Sequence, residues 1–201
     1  DAEALRGRRS ASIRARRRVT IEPGAVQTLR IIDCTYGEHA APILDILNEA
    51  IAHSTALYDY QPRTLDSMRR WFEAKDAGHF PVLGAVGDAG QLLGFASYGS
   101  FRPHAAYKYT VEHSVYVDAA QRGRGLGRAL LERLISRARE QQYHVLVGAI
   151  DADNQPSIAL HEALGFVPSG TLRQVGFKFG RWLDLALYQL RLETPVAPQD
   201  G

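Results

Sequence analysis

One cysteine among 201 residues means that the chain forms no internal disulfide and cannot build a cysteine cluster around zinc. That residue, Cys34, suits a buried apolar position better than a reactive one. No apolar run approaches the roughly 18 residues that cross a bilayer, and no signal-peptide pattern opens the chain. Neither a membrane partner nor export is therefore expected, and the expected compartment is the cytoplasm. A large net charge is missing as well: 24 basic and 22 acidic residues leave +2. The balance is uneven, because residues 1–28 hold seven arginines against Asp1, Glu3 and Glu22. Such a front can meet nucleic acid or anionic lipid, but no aromatic residue stands among its arginines as a base-stacking platform would require. Residues 1–28 are expected to be a flexible basic extension, and nucleic acid is not an expected partner.

What is present is one folded domain, expected over residues 29–193, with 194–201 as a tail. At 45% apolar and 23% charged, the chain can bury a core that a disordered sequence could not. Leu29 to Asp33 reads as a short strand. Ile43, Ile46, Leu47, Ala50 and Ile51 fall at helical spacing within Glu38 to Ala52. Thr64 is placed as the N-cap of a second helix carrying Leu65, Met68, Trp71 and Phe72. Phe80–Val86 and Leu92–Tyr98 read as a hairpin around Asp88-Ala89-Gly90. A strand from Thr110 to Val117, a helix bearing Leu130, Leu131, Leu134 and Ile135, and a buried strand from Tyr143 to Ile150 follow. Ser157 to Leu164 forms a short helix ended by Gly165, and strands around Val175–Phe179 and Leu183–Leu192 close the domain. The class is α+β, with a central, mostly antiparallel mixed sheet flanked by helices and one strand–helix–strand crossover.

The informative stretch is TVEHSVYVDAAQRGRGLGR, from Thr110 to Arg128. Strand, glycine-rich loop and helix in that order aim free backbone N–H groups at an anion. A dinucleotide fingerprint is one reading of the loop, with Asp151 near where a ribose-binding acid belongs. It needs a third glycine where Arg128 stands, and successive crossovers where the sequence offers a hairpin. A phosphate-loop NTPase lacks its glycine-lysine-serine/threonine.

The remaining reading is Arg-x-x-Gly-x-Gly at Arg122, Gly125 and Gly127. Together with FRPHAAYKYTVEHSVYV, NQPSIALHEALGF and GFKFGRWLD, it resembles the GNAT acetyltransferases, in particular the phosphinothricin and methionine sulfone/sulfoximine N-acetyltransferases. The likeness runs from about residue 29 to 193 in matching order. It implies the GNAT fold, acetyl-CoA as co-substrate, no metal, a small amino-acid substrate and a homodimer. By the same resemblance, Val115, Tyr116 and Val117 line the pantetheine arm, with Asn154 and Ser157 beside it. Backbone groups of Arg122, Gly123, Arg124, Gly125, Leu126, Gly127 and Arg128 would hold the pyrophosphate. Glu112 would take the proton of the attacking amine, and His161, where many relatives carry tyrosine, would protonate the leaving thiolate. Arg102 and the loop through Tyr107, with Glu112, would select the substrate, the guanidinium holding its carboxylate.

The residues alone leave alternatives. Arg124 and Arg128 could be solvated helix charge, Arg102 a surface cation and His161 a structural histidine. Asn154 could simply cap its helix. Lys178, Arg181, Trp182 and Asp184 fit strand packing or a dimer contact equally well. A GNAT enzyme for another amine, such as a peptide N-terminus or a polyamine, and a non-catalytic coenzyme A-binding module are the competing functions.

Overall fold

Residues 29–200 are described by the computed structural model, so the basic extension expected at 1–28 lies outside the described residues. Along the chain run β1 (Arg30–Asp33), α1 (Tyr36–His53), α2 (Leu65–Ala77), β2 (Val82–Val86), β3 (Leu92–Ser100) and β4 (Thr110–Val117). Then come α3 (Leu126–Glu140), β5 (Val145–Asp151), α4 (Gln155–Ala163), β6 (Val167–Lys178) and β7 (Arg181–Arg191). The strands form one sheet in the order β1-β2-β3-β4-β5-β7-β6, and only β4 and β5 run parallel. A parallel pair needs a crossover, and α3 supplies it.

The helical spacing read from the sequence puts an apolar stripe on each helix, and the sheet is covered on both faces. Leu126, Leu130, Leu131, Leu134, Ile135 and Ala138 of α3 are buried in one cluster with Leu83, Val111 and Leu146 of the strands. On the other face Ile43, Ile46 and Leu47 of α1 meet Met68 and Phe72 of α2, over Val82 and Phe95. Each such fully buried side chain contributes about 1.5–3 kcal/mol, so either helix layer outweighs any single polar contact below. Helix α2 starts where Thr64 predicts it. The Thr64 hydroxyl accepts from Ser67 N at 3.2 Å, and Ser67 Oγ accepts from Thr64 N at 3.0 Å, a reciprocal capping box.

Strand β6 differs from expectation. It begins at Val167, well before the expected Val175, and slips register twice against β7, at Pro168/Gly170 and Leu172/Gly176. Its residues from Val167 to Val175 are all exposed, so neither face is buried and its first half carries no period that a sequence reading could detect.

The feature that positions the site is a fork. Strands β4 and β5 pair from Thr110↔Val145 to His113↔Gly148 and no further. Both strands continue, β4 to Val117 and β5 to Asp151, but they diverge. β4 stays paired to β3 on its other edge along this length, from Ser100↔Val111 to Gly94↔Val117. Ser114 to Val117 thus turn an unpaired main-chain edge into the gap.

Candidate active site

A cleft of about 430 Å³ opens at the fork. Its walls are Val115, Tyr116 and Val117 of β4, Arg122 to Arg128 except Arg124, and Asn154, Pro156, Ser157 and Leu160 around α4, with Ile46 and Ala50 of α1 opposite. A smaller cavity of about 80 Å³ continues into the gap, between His113–Tyr116 of β4 and Gly148–Asp151 of β5. Val115, Tyr116, Asn154 and Ser157 border both. The structure therefore gathers most of the residues that the sequence assigned to an acyl-carrier site into one continuous wall.

At one end of this wall the chain makes an anion cradle. Gly123 and Gly125 have φ of 77° and 78°, the left-handed region that a side chain disfavours, and no atom lies within 4 Å of where a Cβ would stand. Gly125 is the N-cap of α3, so the N–H groups of Leu126, Gly127 and Arg128 lack intrahelical acceptors and point out of the helix start. Gly127 is there for closeness: a Cβ would come within 3.3 Å of Leu160 on α4. The arginines divide in role. Arg122 is a strut, donating from Nε to Val117 O at 3.4 Å and from a terminal nitrogen to Glu49 at 3.3 Å. Arg124 bonds the Gln121 side chain, and Arg128 bonds Glu132 at 2.8 Å one turn on. The cradle's charge thus comes mainly from the helix start, with the guanidinium groups held near it by neighbours. Open glycine positions, free N–H groups and an unpaired strand edge together fit the pyrophosphate and pantetheine of a coenzyme A thioester.

Alternation along β4 sorts its side chains. Val111, Val115 and Val117 pack toward α3, while Tyr116 joins the α1/α2 cluster. Glu112 shares the Tyr116 face and stands two residues before Ser114, where the fork begins. Its carboxyl is open to the surface, yet desolvation by the surrounding protein raises its pKa and the Arg102 guanidinium pulls it back down. Arg102 therefore lies within electrostatic reach of Glu112. Tyr107 does not join the cleft wall: with Arg102, Phe80 and Tyr143 it lines a separate hollow of about 190 Å³, its ring edge-on to Phe101. Above the Glu112 face, the segment between α1 and α2 is tied to the β6–β7 hairpin. Buried Lys178 donates to Ser54 O at 2.8 Å and Leu57 O at 2.6 Å, and Tyr60 donates to Phe177 O at 2.5 Å. For Lys178 the packing reading holds.

Asn154 caps α4, its Oδ1 accepting from Ser157 N at 3.2 Å, while its side lines the cleft. The cap is made, and the same side chain stands on the cleft wall. His161 is 3% exposed and borders the fork cavity. Its Nδ1 lies 2.7 Å from Ser157 O, and its Nε2 lies 2.9 Å from Nε2 of His113. His113 was missed by sequence reading, since an inward residue of a β-strand carries no motif. Asp151, the acid considered for a ribose, turns into the same cavity. Its Oδ1 accepts from Asp153 N at 3.0 Å, and its buried Oδ2 stands 3.8 Å from the Arg181 guanidinium. Among the described residues no group of three or more His, Cys, Asp or Glu is arranged to hold a metal ion, and no helix is long and apolar enough to cross a membrane.

Comparison with known proteins agrees with this geometry. Residues 43–166 match the acetyltransferase (GNAT) family model. The L-methionine sulfoximine/L-methionine sulfone acetyltransferase of Pseudomonas paraeruginosa is 50% identical over 157 residues, 78% of this chain and 91% of that protein. An N-acetyltransferase structure from Staphylococcus aureus superposes with a TM-score of 0.79 at 47% identity, over 82% of this chain and 98% of that one. A phosphinothricin acetyltransferase from Sinorhizobium meliloti, solved in complex with acetyl-CoA, gives 0.81 at 33% identity over 87% and 94%.

Proposed function

The chain belongs to the acetyltransferase (GNAT) family, and from that premise we propose that it moves acetyl from acetyl-CoA to the α-amine of a small amino acid, of the methionine sulfone, methionine sulfoximine and phosphinothricin class. The observation that carries the reading is the β4–β5 fork, whose unpaired strand edge runs from the anion cradle back toward the stretch of β4 that bears Glu112. The backbone groups of Val115 and the N–H of Val117, whose carbonyl already accepts from Arg122, can pair with an amide-bearing arm as a neighbouring strand would. An arm held there brings its thioester end to the fork, on the way to Glu112.

Chemistry at the fork asks little of any one group. Glu112 takes a proton from the ammonium, directly or through water; the amine nitrogen bonds the acetyl carbon and sheds its second proton to solvent as the tetrahedral adduct collapses, the carbon–sulfur bond breaks, and the thiolate departs. Neutralising an α-ammonium of pKa near 8 costs about 1–2 kcal/mol at pH 7, while holding amine against thioester is worth up to about 7–11 kcal/mol. A thiol of pKa about 8.5 is a competent leaving group without an acid beside it, so the thiolate takes its proton from water. His161 then serves the fork as a wall. Arg102, which already acts on Glu112 through space, is the cation on hand for the substrate carboxylate.

We further read the enzyme as a cytoplasmic homodimer. The hairpin of β6 and β7 exposes Val167, Leu172, Val175, Phe177, Phe179 and Trp182, more apolar surface on one hairpin than a monomer usually leaves bare. The free thiol of Cys34 suits a reducing compartment. The function is tested by thiol release from acetyl-CoA with a panel of amines. Methionine sulfoximine, methionine sulfone and phosphinothricin should exceed peptides, polyamines and aminoglycosides. Equal signals would overturn the substrate class, and none with any amine would leave only a coenzyme A-binding module.

A further inference from the structure

Two buried histidines close the inner end of the fork, and their hydrogen bonds fix where their protons are. A carbonyl oxygen only accepts, so the contact with Ser157 O places a proton on Nδ1 of His161. Burial lowers the pKa of both rings, His113 to about 3, so each carries a single proton at neutral pH. His161 Nε2 is then a bare lone pair that needs a donor; His113 Nδ1 is buried with no partner at hydrogen-bond geometry, although the Val147 carbonyl is near enough to act on the ring, so the proton between the two Nε2 atoms belongs to His113. The chain of donors runs one way: His113 Nε2–H to His161 Nε2, and His161 Nδ1–H to Ser157 O. No N–H of His161 is left over for a departing sulfur.

The surroundings are built to this pair. The rings stack at 5.1 Å with 29° between planes, and Phe166 packs on both at 5.1 and 5.0 Å. Gly148 of β5 leaves them their space, for a Cβ there would come 3.0 Å from His113 and 3.3 Å from His161. Of the other residues bordering the cavity, only Asp151 and Tyr116 bear ionisable side chains. His113 follows Glu112 on β4, with its side chain on the opposite, buried face of the strand.

We propose that His113 is a positioning residue for acetyl transfer, whose Nε2–H locks the His161 ring in one tautomer and one orientation, so that the fork ends on two uncharged imidazoles beneath the thioester. This rests on the fork seating the acetyl-CoA thioester. An imidazolium in that place would hold the product thiolate by charge in a water-poor cavity and slow its release; a freely turning ring would let the acetyl group shift.

The test is imidazole ¹⁵N NMR with steady-state kinetics on the full chain. In the wild type at pH 7 His161 should be protonated on Nδ1 alone and His113 on Nε2 alone, and His113 should gain no second proton as the pH falls to about 5.5, a unit below the free imidazole value. His113→Phe keeps a ring against Phe166 and removes the donor. It should lower kcat by about tenfold or more with KM for acetyl-CoA nearly unchanged, and the single His161 tautomer should give way to a mixture. His113→Gln, which presents an amide N–H at similar reach, should restore both. The proposal is overturned if wild-type His161 carries its proton on Nε2 or is an imidazolium at pH 7. It is equally overturned if His113→Phe keeps full kcat, or loses kcat with the His161 tautomer unmoved. Should His113→Phe not fold, the wild-type spectrum and the glutamine variant decide. A wild type that acetylates no amine would sink the functional reading instead, with the spectrum still reporting the pair.

Discussion

Replacing Glu112 by glutamine removes the base while keeping the size and polarity of the side chain, and the structure sets what this should do with pH. The carboxyl is raised by desolvation and lowered by Arg102, so the wild type should lose activity on the acid side as pH falls through a carboxyl pKa above the ordinary carboxylate range. The variant has no such base and must bind amine that is already neutral. For an α-amine of pKa near 8, about a tenth is neutral at pH 7, so kcat/KM should fall at least about tenfold there, with a general-base loss of up to roughly 10²–10⁴ if proton transfer is concerted with attack. Above the amine pKa the first of these penalties vanishes. Thiol release measured from pH 6 to 9, a range around that amine value, should show the gap between variant and wild type narrowing toward the alkaline end. Acetyl-CoA affinity by calorimetry should not move, because Glu112 is outside the cradle. Full kcat/KM in the variant across the range would refute the assignment of the base.

Three further outcomes follow from the geometry. Gly125→Ala forces a side chain into φ of 78°, a strain of about 1–2 kcal/mol that the loop relieves by losing its shape, so acetyl-CoA affinity should drop roughly 5- to 30-fold by calorimetry while KM for the amine stays put. Thr64→Ala breaks the capping box and should cost about 1 kcal/mol, a fall in melting temperature of roughly 2–4 °C by calorimetric scan; an unchanged Tm would mean α2 is held by packing alone. Phe177→Ser with Trp182→Ser should convert a dimer to a monomer in sedimentation velocity, and a protein already monomeric before substitution would remove the hairpin as an interface.

Much of this was legible in the sequence, and the reason is local chemistry. Thr64, the α3 stripe from Leu126 to Ala138 and the left-handed glycines each declare their structure within a few residues of themselves. The fork was not legible, because it is a divergence of two strands 35 residues apart, set by where pairing between His113 and Gly148 stops. His113 was hidden for the same reason. Its meaning lies in His161, 48 residues away, and in the missing side chain of Gly148. Tyr107 is expected in a substrate loop with Arg102, and the two residues line, with Phe80 and Tyr143, a hollow separate from the cleft, which no local pattern announces. The first half of β6 lacked any pattern, since both of its faces are exposed and neither needs apolar residues.

The central claim is that the open edge of β4 takes the pantetheine arm while the start of α3 takes its pyrophosphate. Amide hydrogen exchange at residue resolution, with and without coenzyme A, tests it most directly. The account expects strong new protection at Val115 and Val117 together with Leu126, Gly127 and Arg128, and little change on β6. Protection confined to the loop, with the Ser114–Val117 edge exchanging as before, would contradict it.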